Sequence, residues 1–263
     1  MSNIHPTAVI EDGATIGNNS KIGPFVTISS QTIIGDDNII DAHANIVGKT
    51  TIGNGNHIFS HAVVGSIPQD LKFNGEDVEL IIGDNNKIRE FTLLNPGTIG
   101  GGSITKIGNN NLLMGYVHLG HDVIMGNNCI LANGATLAGH VELGDNVVIG
   151  GLTPIHQFVK IGDFAMVAGA SALSQDIPPF CMAEGNRATL RGLNLTGLRR
   201  TLERDEINAL KIAYKELFES GNALQESAEE LLKSSTSENV KKLVTFITQS
   251  KRGIPFIRKN NNG

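Results

Sequence analysis

Along most of the first two thirds of this chain an aliphatic residue falls at every sixth position, and few architectures accept such a period. The series runs without a miss from Ile4, Ile10 and Ile16 to Val64, picks up again at Ile82, Ile88 and Leu94, and holds once more from Ile107 to Leu173. Four residues beyond many of these sits a small or β-branched residue, as at Ala8, Ala14, Ser20, Val26, Ala135 and Val141. Helices repeat every 3.6 residues and flat strands every two. A period of six therefore demands short strands separated by sharp corners, each strand sending one large and one small side chain inward. Gly, Asn or Asp follows many of the aliphatic residues, as in IGNN at 16–19 and LGDN at 143–146. These residues tolerate the left-handed backbone that tight corners need. The pattern is that of hexapeptide repeats wound into a parallel β-helix.

Composition suits thin, repetitive layers: Gly contributes 31 of 263 residues, aromatics 5%, and Trp is absent. Three hexads make an 18-residue coil, so residues 18 apart lie about 4.8 Å from one another on adjacent coils. Two interruptions, at 65–81 and around Gly100, Gly101 and Gly102 (near 98–106), are expected to leave the solenoid as loops on one face, often the binding face. From about residue 190 helical spacing takes over. Ile207, Leu210, Tyr214, Leu217 and Phe218 fall on one face of a helix expected at 205–219, with Asp205 as its N-cap. Further helices are expected at 223–233 and 237–250. Pro178, Pro179 and Gly185 punctuate the change, dividing the chain into 1–188 and 189–263, and the terminal NNNG is expected to be disordered.

Charge divides at the same place. Residues 1–188 carry 8 Lys/Arg and 17 Asp/Glu, a net of 8 − 17 = −9, whereas 189–263 carry 13 and 9, a net of 13 − 9 = +4. The second region is therefore suited to an anionic partner. No stretch approaches the ~18 uninterrupted apolar residues of a membrane helix, and MSNIHPTAVI lacks the charged-then-apolar order of a leader. A cytoplasmic, unprocessed protein is expected, neither embedded in a membrane nor bound to nucleic acid. Cys129 and Cys181 are too few and too isolated for a disulfide framework or a zinc cluster, which leaves them structural.

The chemistry concentrates in four histidines, His118, His121, His140 and His156. Adding 18 to 121 gives Gly139, beside His140, and adding 18 again gives Gln157, beside His156, so the coil rule gathers them along one edge of three coils. His121 stands at a corner and Asp122 follows it. An imidazole oriented by a carboxylate is a fitting general base. The same rule sets Gly139 one layer from His121, close enough for one reacting carbonyl to touch both. A zinc site collected from such histidines is the competing chemistry.

The chain resembles the UDP-N-acetylglucosamine O-acyltransferase family over essentially its whole length, through IHPTA at 4–8, QDLKF at 69–73, NLLMG at 111–115, HLGHD at 118–122, CILANGATLAGHV at 129–141, HQF at 156–158 and GNRATLRGLNLTGLRR at 185–200. The resemblance implies a left-handed coil and transfer of an (R)-3-hydroxyacyl group from acyl carrier protein to the sugar 3-position of UDP-N-acetylglucosamine, the first step of lipid A synthesis. It implies no metal and no cofactor, since a thioester already carries the activation, and a homotrimer with sites between subunits. By position it assigns His121 as base, Asp122 as its orienter and the Gly139 N–H as oxyanion donor. His118, His140, His156 and Gln157 would line the substrate groove. Asp70 and Lys72 would reach a neighbouring subunit's site, Asn194 and Arg200 would hold the nucleotide or the pantetheine phosphate, and Gly169 would leave the far end of the acyl groove open.

Asn95 and Pro96 stand where many relatives carry His and Arg, and Arg187 where many carry His, which leaves a 3-hydroxyl or a 3-amino acceptor open. Rival readings are the sister N-acyltransferase, whose extra N-terminal domain is missing from a repeat that starts at Ile4, a coenzyme A-dependent acetyltransferase, and a non-enzymatic scaffold.

Overall fold

The structure is a computed structural model that describes residues 2–257; the terminal NNNG lies outside the described residues. Among the described residues, short strands, mostly of two residues, run from Asn3–Ile4 to Met166–Val167 and form three parallel sheets, which we call first (9 of these strands, 11 once the hairpin described below is added), second (8) and third (8). They are the walls of a triangular prism. Where the repeat is unbroken the register is the sequence period itself: Leu113 pairs with Leu131, and Leu131 with Ile149. Across the interruptions it stretches. Ile58 pairs with Ile88, 30 residues on rather than 18, and Leu94 with Leu119, 25 on. The first insertion thus adds 30 − 18 = 12 residues to its coil and the second 25 − 18 = 7.

One residue of each two-residue strand points inward, and from Ile22 onward that residue is the aliphatic one, at most 4% exposed. Each such side chain contributes roughly 1.5–3 kcal/mol by leaving water. Ile4 breaks the rule at 43% exposed, because no coil lies beneath the first one. Corner backbone groups find partners in side-chain ladders. Asn38, Asn56, Asn86 and Asn111 are buried, and each Oδ1 accepts the backbone N–H one coil on, from Asn56, Asn86, Asn111 and Cys129 in turn. This is how a buried backbone donor with no strand partner is satisfied.

Left-handed corner positions are not confined to Gly, Asn and Asp. Phe25, His43, His61, Phe91 and Tyr116 all have positive φ and stack as one ring ladder along the edge between the first and second sheets, with centroids 5.1, 4.9, 5.2 and 5.0 Å apart. Stacking at such spacing offsets part of the conformational cost of an L-residue in that region.

The prism ends in an antiparallel hairpin, Cys181–Glu184 with Thr189–Leu193, whose first strand pairs with Met166–Val167. The expected division at 188/189 falls inside that hairpin. Four helices follow among the described residues: α1 (Leu195–Leu198), α2 (Arg204–Phe218), α3 (Leu224–Ser234) and α4 (Glu238–Gln249). Asp205 is not the cap of α2; Glu203 occupies that position without a side-chain hydrogen bond, and Asp205 sits in the first turn, where a carboxylate favours the positive end of the helix. The apolar faces of α2 and α4 join the prism interior in one continuous core through Phe180, Leu198, Leu210 and Leu243. Cys129 and Cys181 are buried, free and part of that core, and burial pushes the Cys129 thiol up to about 12.

Candidate active site

Both insertions, His121, His140 and Phe158 emerge on a single edge, the one where the chain passes from the second sheet to the third. His121 follows the strand His118–Leu119. Its Nδ1 lies 2.7 Å from Asp122 Oδ2, and because a carboxylate only accepts, that nitrogen carries the proton and Nε2 is left as the acceptor. The His121 side chain is 17% exposed and that of Asp122 1%.

Asp122 is held from every side. Its backbone has φ 59° and its N–H donates to Thr105 Oγ1 at 2.8 Å. The carboxylate Oδ1 accepts the Thr98 N–H at 2.9 Å, and Oδ2 accepts the Thr98 hydroxyl at 2.6 Å as well as the imidazole. A Cβ on Gly101 would overlap the carboxylate itself, so the glycine-rich turn lies directly against it.

One coil up, the Gly139 backbone packs on the His121 ring so closely that a Cβ there would lie 2.6 Å from Nε2. The Gly139 N–H has no hydrogen-bond partner among the described residues. A Cβ on Gly120 would come within 2.9 Å of that nitrogen, so the glycine before His121 keeps it open. A free donor beside the imidazole acceptor is an arrangement able to take a proton from a nucleophile while stabilising an oxyanion on the carbonyl it attacks.

Of the four histidines, the structure brings together His121 and His140, edge to face at 4.9 Å, and His140 also stacks flat on Phe158 at 4.4 Å. His140 Nδ1 is 3.8 Å from Asp122 Oδ2. Burial pushes His140 below the usual imidazole range while Asp122 and, more weakly, Asp70 pull it back. His118 is placed differently. It stands on the second sheet rather than at the corner, with Nδ1 3.2 Å from Leu93 O, and burial pushes it down too. His156 and Gln157 are exposed, and His156 Nδ1 lies 3.3 Å from Arg252 Nη2. Arg252 also donates to Ser174 O, which pins the segment after α4 over the end of the prism. Between this segment and the glycine-rich turn lies a cleft of about 680 Å³ bordered by Asp122, His140, Phe158, Lys160 and Arg252.

Asp70 folds into a local turn by accepting the Lys72 N–H at 3.0 Å; Lys72 is exposed. Asn194 is buried, its Oδ1 capping α1 at Gly197 N and its Nδ2 donating to Phe164 O, whereas Arg200 is exposed. Gly169 sits on the other side of the second sheet, at its edge with the first, lining an apolar groove of about 560 Å³ with Tyr116, Gly134, Leu152 and Ala170. Asn95, buried, donates through Nδ2 to Ser66 O and Ile67 O at the root of the first insertion. His121, Asp122 and His140 are also the described side chains whose donor atoms, within 4.8 Å of one another, could hold a metal ion.

Thr98, Gly120 and Phe158 were not anticipated. The coil rule fails to place Thr98 because seven extra residues intervene, and the signal for Gly120 is only a glycine before the histidine.

With this geometry in place, comparison with known proteins is direct. The model for the second domain of UDP-N-acetylglucosamine O-acyltransferase matches residues 176–255, and the bacterial transferase hexapeptide model matches 1–30 and 104–139. The chain is 71% identical over 260 residues to the acyl-[acyl-carrier-protein]--UDP-N-acetylglucosamine O-acyltransferase of Sulfurovum sp., covering 99% of this chain and 100% of the relative. It is 74% identical to that of Sulfurimonas denitrificans with the same coverage. Among solved structures, UDP-N-acetylglucosamine acyltransferase from Campylobacter jejuni is 52% identical with a TM-score of 0.94 over 97% of this chain and all of that one. The Bacteroides fragilis enzyme is 42% identical with a TM-score of 0.93 over 95% and 99%. The repeats and these structures make the coil a left-handed parallel β-helix.

Proposed function

The chain belongs to the acyl-[acyl-carrier-protein]--UDP-N-acetylglucosamine O-acyltransferase family, and on that premise we propose that it moves an (R)-3-hydroxyacyl chain from acyl carrier protein to the 3-position of UDP-N-acetylglucosamine, the first step of lipid A biosynthesis, with His121 as general base. The observation that carries the mechanism is the His121–Asp122 pair with the open Gly139 N–H against the imidazole. Nε2 takes the proton from the acceptor as its oxygen attacks the thioester carbonyl. The tetrahedral oxyanion accepts from Gly139 N–H, and Asp122 stabilises the imidazolium. Collapse breaks the carbon–sulfur bond, and His121 returns the proton to the departing carrier thiolate.

His118, His140, His156 and Gln157 border the acceptor in this reading, Asp70 and Lys72 reach it from the first insertion, and Arg200 meets the nucleotide or the carrier phosphate, while Asn194, its amide engaged with Gly197 N and Phe164 O, holds that turn in place. The assembly in this reading is a homotrimer with sites shared between subunits. His121 and Gly169 lie on opposite edges of the second sheet, and three chains with their second sheets turned inward would set each His121 edge against a neighbour's Gly169 edge, an arrangement that supports an acyl chain running from one subunit's His121 into the next subunit's groove. In this reading the protein acts in the cytoplasm.

The test is turnover of 3-hydroxyacyl-carrier thioester with UDP-N-acetylglucosamine, joined to light scattering. A trimer that transfers the acyl chain supports the reading, and an active monomer rules out shared sites.

A further inference from the structure

The interruption of the repeat at Gly100–Gly102 has a specific product. A regular 18-residue coil would leave the Asp122 carboxylate facing solvent across a bare corner; the seven added residues instead fold back over it. Thr98 enters the turn in extended conformation, φ −131° and ψ 156°. Its carbonyl accepts from Gly101 N at 3.0 Å and Ser103 N at 2.8 Å, which closes the turn on itself. Its N–H and hydroxyl then point as a pair at the two oxygens of Asp122.

That pair settles a competition. Asp122 Oδ2 has two imidazoles within reach, His121 Nδ1 at 2.7 Å and His140 Nδ1 at 3.8 Å. A carboxylate free to turn about its Cβ–Cγ bond would divide itself between them, and would leave His121 part of the time without the acceptor that fixes its tautomer. Two donors from one residue, one on each oxygen, lock the carboxylate plane. The lock is tight because Gly101 has no side chain to hold the turn away. The hydroxyl bond to Oδ2 also withdraws charge from the atom that faces the imidazole.

We infer that Thr98 is a positioning residue for the reaction: it aims Asp122 at His121 rather than at His140, and Gly101 is required so that it can. The inference rests on His121 being the base. Other charged or titratable groups facing the site are His118 on the second sheet, His140 on the next coil with Asp70 near it, Glu142 paired with Lys160 at 2.9 Å on the third sheet, and, across the cleft, Asp176, Lys251 and Arg252. None of them is altered by the substitutions below.

Thr98→Val keeps shape and the backbone N–H but removes the hydroxyl; Thr98→Ser keeps both donors. With (R)-3-hydroxyacyl-carrier thioester and UDP-N-acetylglucosamine, Thr98→Val is expected to lower kcat about tenfold or more, the effect of losing one hydrogen bond to a charged group, with KM within about twofold. The acidic limb of its kcat/KM profile should move to higher pH by roughly half a unit or more, because a carboxylate that has lost a donor stabilises the imidazolium more. Thr98→Ser should restore both, and Gly101→Ala should reproduce the loss. A purely structural threonine would instead lower the melting temperature of Thr98→Val and leave kcat and the pH profile in place, which overturns the inference. If Thr98→Val does not accumulate folded, Thr98→Ala is judged by the same profile. His121→Ala is run alongside: high activity there removes the premise, whereas an inactive His121→Ala beside an unaltered Thr98→Val refutes the Thr98 role alone.

Discussion

Replacing Gly139 by alanine adds one methyl group, and the structure says where it goes. A Cβ built there lies 2.5 Å from His121 Cε1, 2.6 Å from Nε2 and 3.0 Å from Nδ1, against an ordinary contact of 3.4 Å or more. The ring must therefore retreat by about 0.9 Å (3.4 − 2.5), and it is tethered through Nδ1 to Asp122 at 2.7 Å. Either the tether lengthens or the ring tilts, and both move Nε2 off the line to the acceptor oxygen. Misplacement on the order of 1 Å costs about 10²-fold in rate, and crowding the oxyanion donor adds to it. Backbone strain is not the cause, since φ at this glycine is outside the left-handed range. Steady-state kinetics on Gly139→Ala should show kcat reduced about 10²-fold or more, KM changed little, and a melting temperature close to wild type. A folded Gly139→Ala enzyme with kcat within a few-fold of wild type would refute the placement of the reacting carbonyl between His121 and Gly139.

Gly169→Met fills the apolar groove; a new Cβ would meet Gly151 O at 3.3 Å, a tight contact that needs the neighbouring corner to give slightly, so the melting temperature is measured beside the kinetics. At about 0.8 kcal/mol per buried methylene, loss of room for three or four carbons shifts kcat/KM by roughly 10²-fold from long toward short acyl donors; unchanged preference across a thioester series sinks the groove assignment. Acid should weaken the fold through His118 and His140. Both are pushed down by burial, so their contribution is present above the unfolded value near pH ~6.5 and is lost as pH falls through the lower folded values. His118→Gln should flatten the decline of melting temperature between about pH 7 and pH 5, and an undiminished slope contradicts that origin.

How much of this could be read beforehand depends on which residues repeat. The prism was legible because Ile22, Leu113 and Ile149 each fill one inward slot per strand, and inward slots recur with the sequence period. Ring-bearing corners were not, because Phe91 and Tyr116 adopt positive φ through stacking with neighbours that sequence spacing alone does not reveal. The coil rule set Gly139 against His121, where no insertion intervenes, but the sequence reading gathered His118 along the same edge, although three positions before His121 it stands in the strand His118–Leu119 of the second sheet instead. Thr98 was invisible because it belongs to one of the two insertions that depart from the period. Asn194 illustrates a different limit: a motif match identifies the residue, yet only the fold shows its amide already capping α1 and bonded to Phe164.

The most direct test of the account is the rate of acyl transfer from (R)-3-hydroxyacyl-carrier thioester to UDP-N-acetylglucosamine by His121→Ala. The side chain lies at the surface of a corner rather than in the core, so the variant should fold and assemble as wild type. The account predicts a fall in kcat of ~10²-fold or more across the pH range, the loss expected when a general base is removed. A folded His121→Ala protein that retains most of the wild-type rate would contradict it.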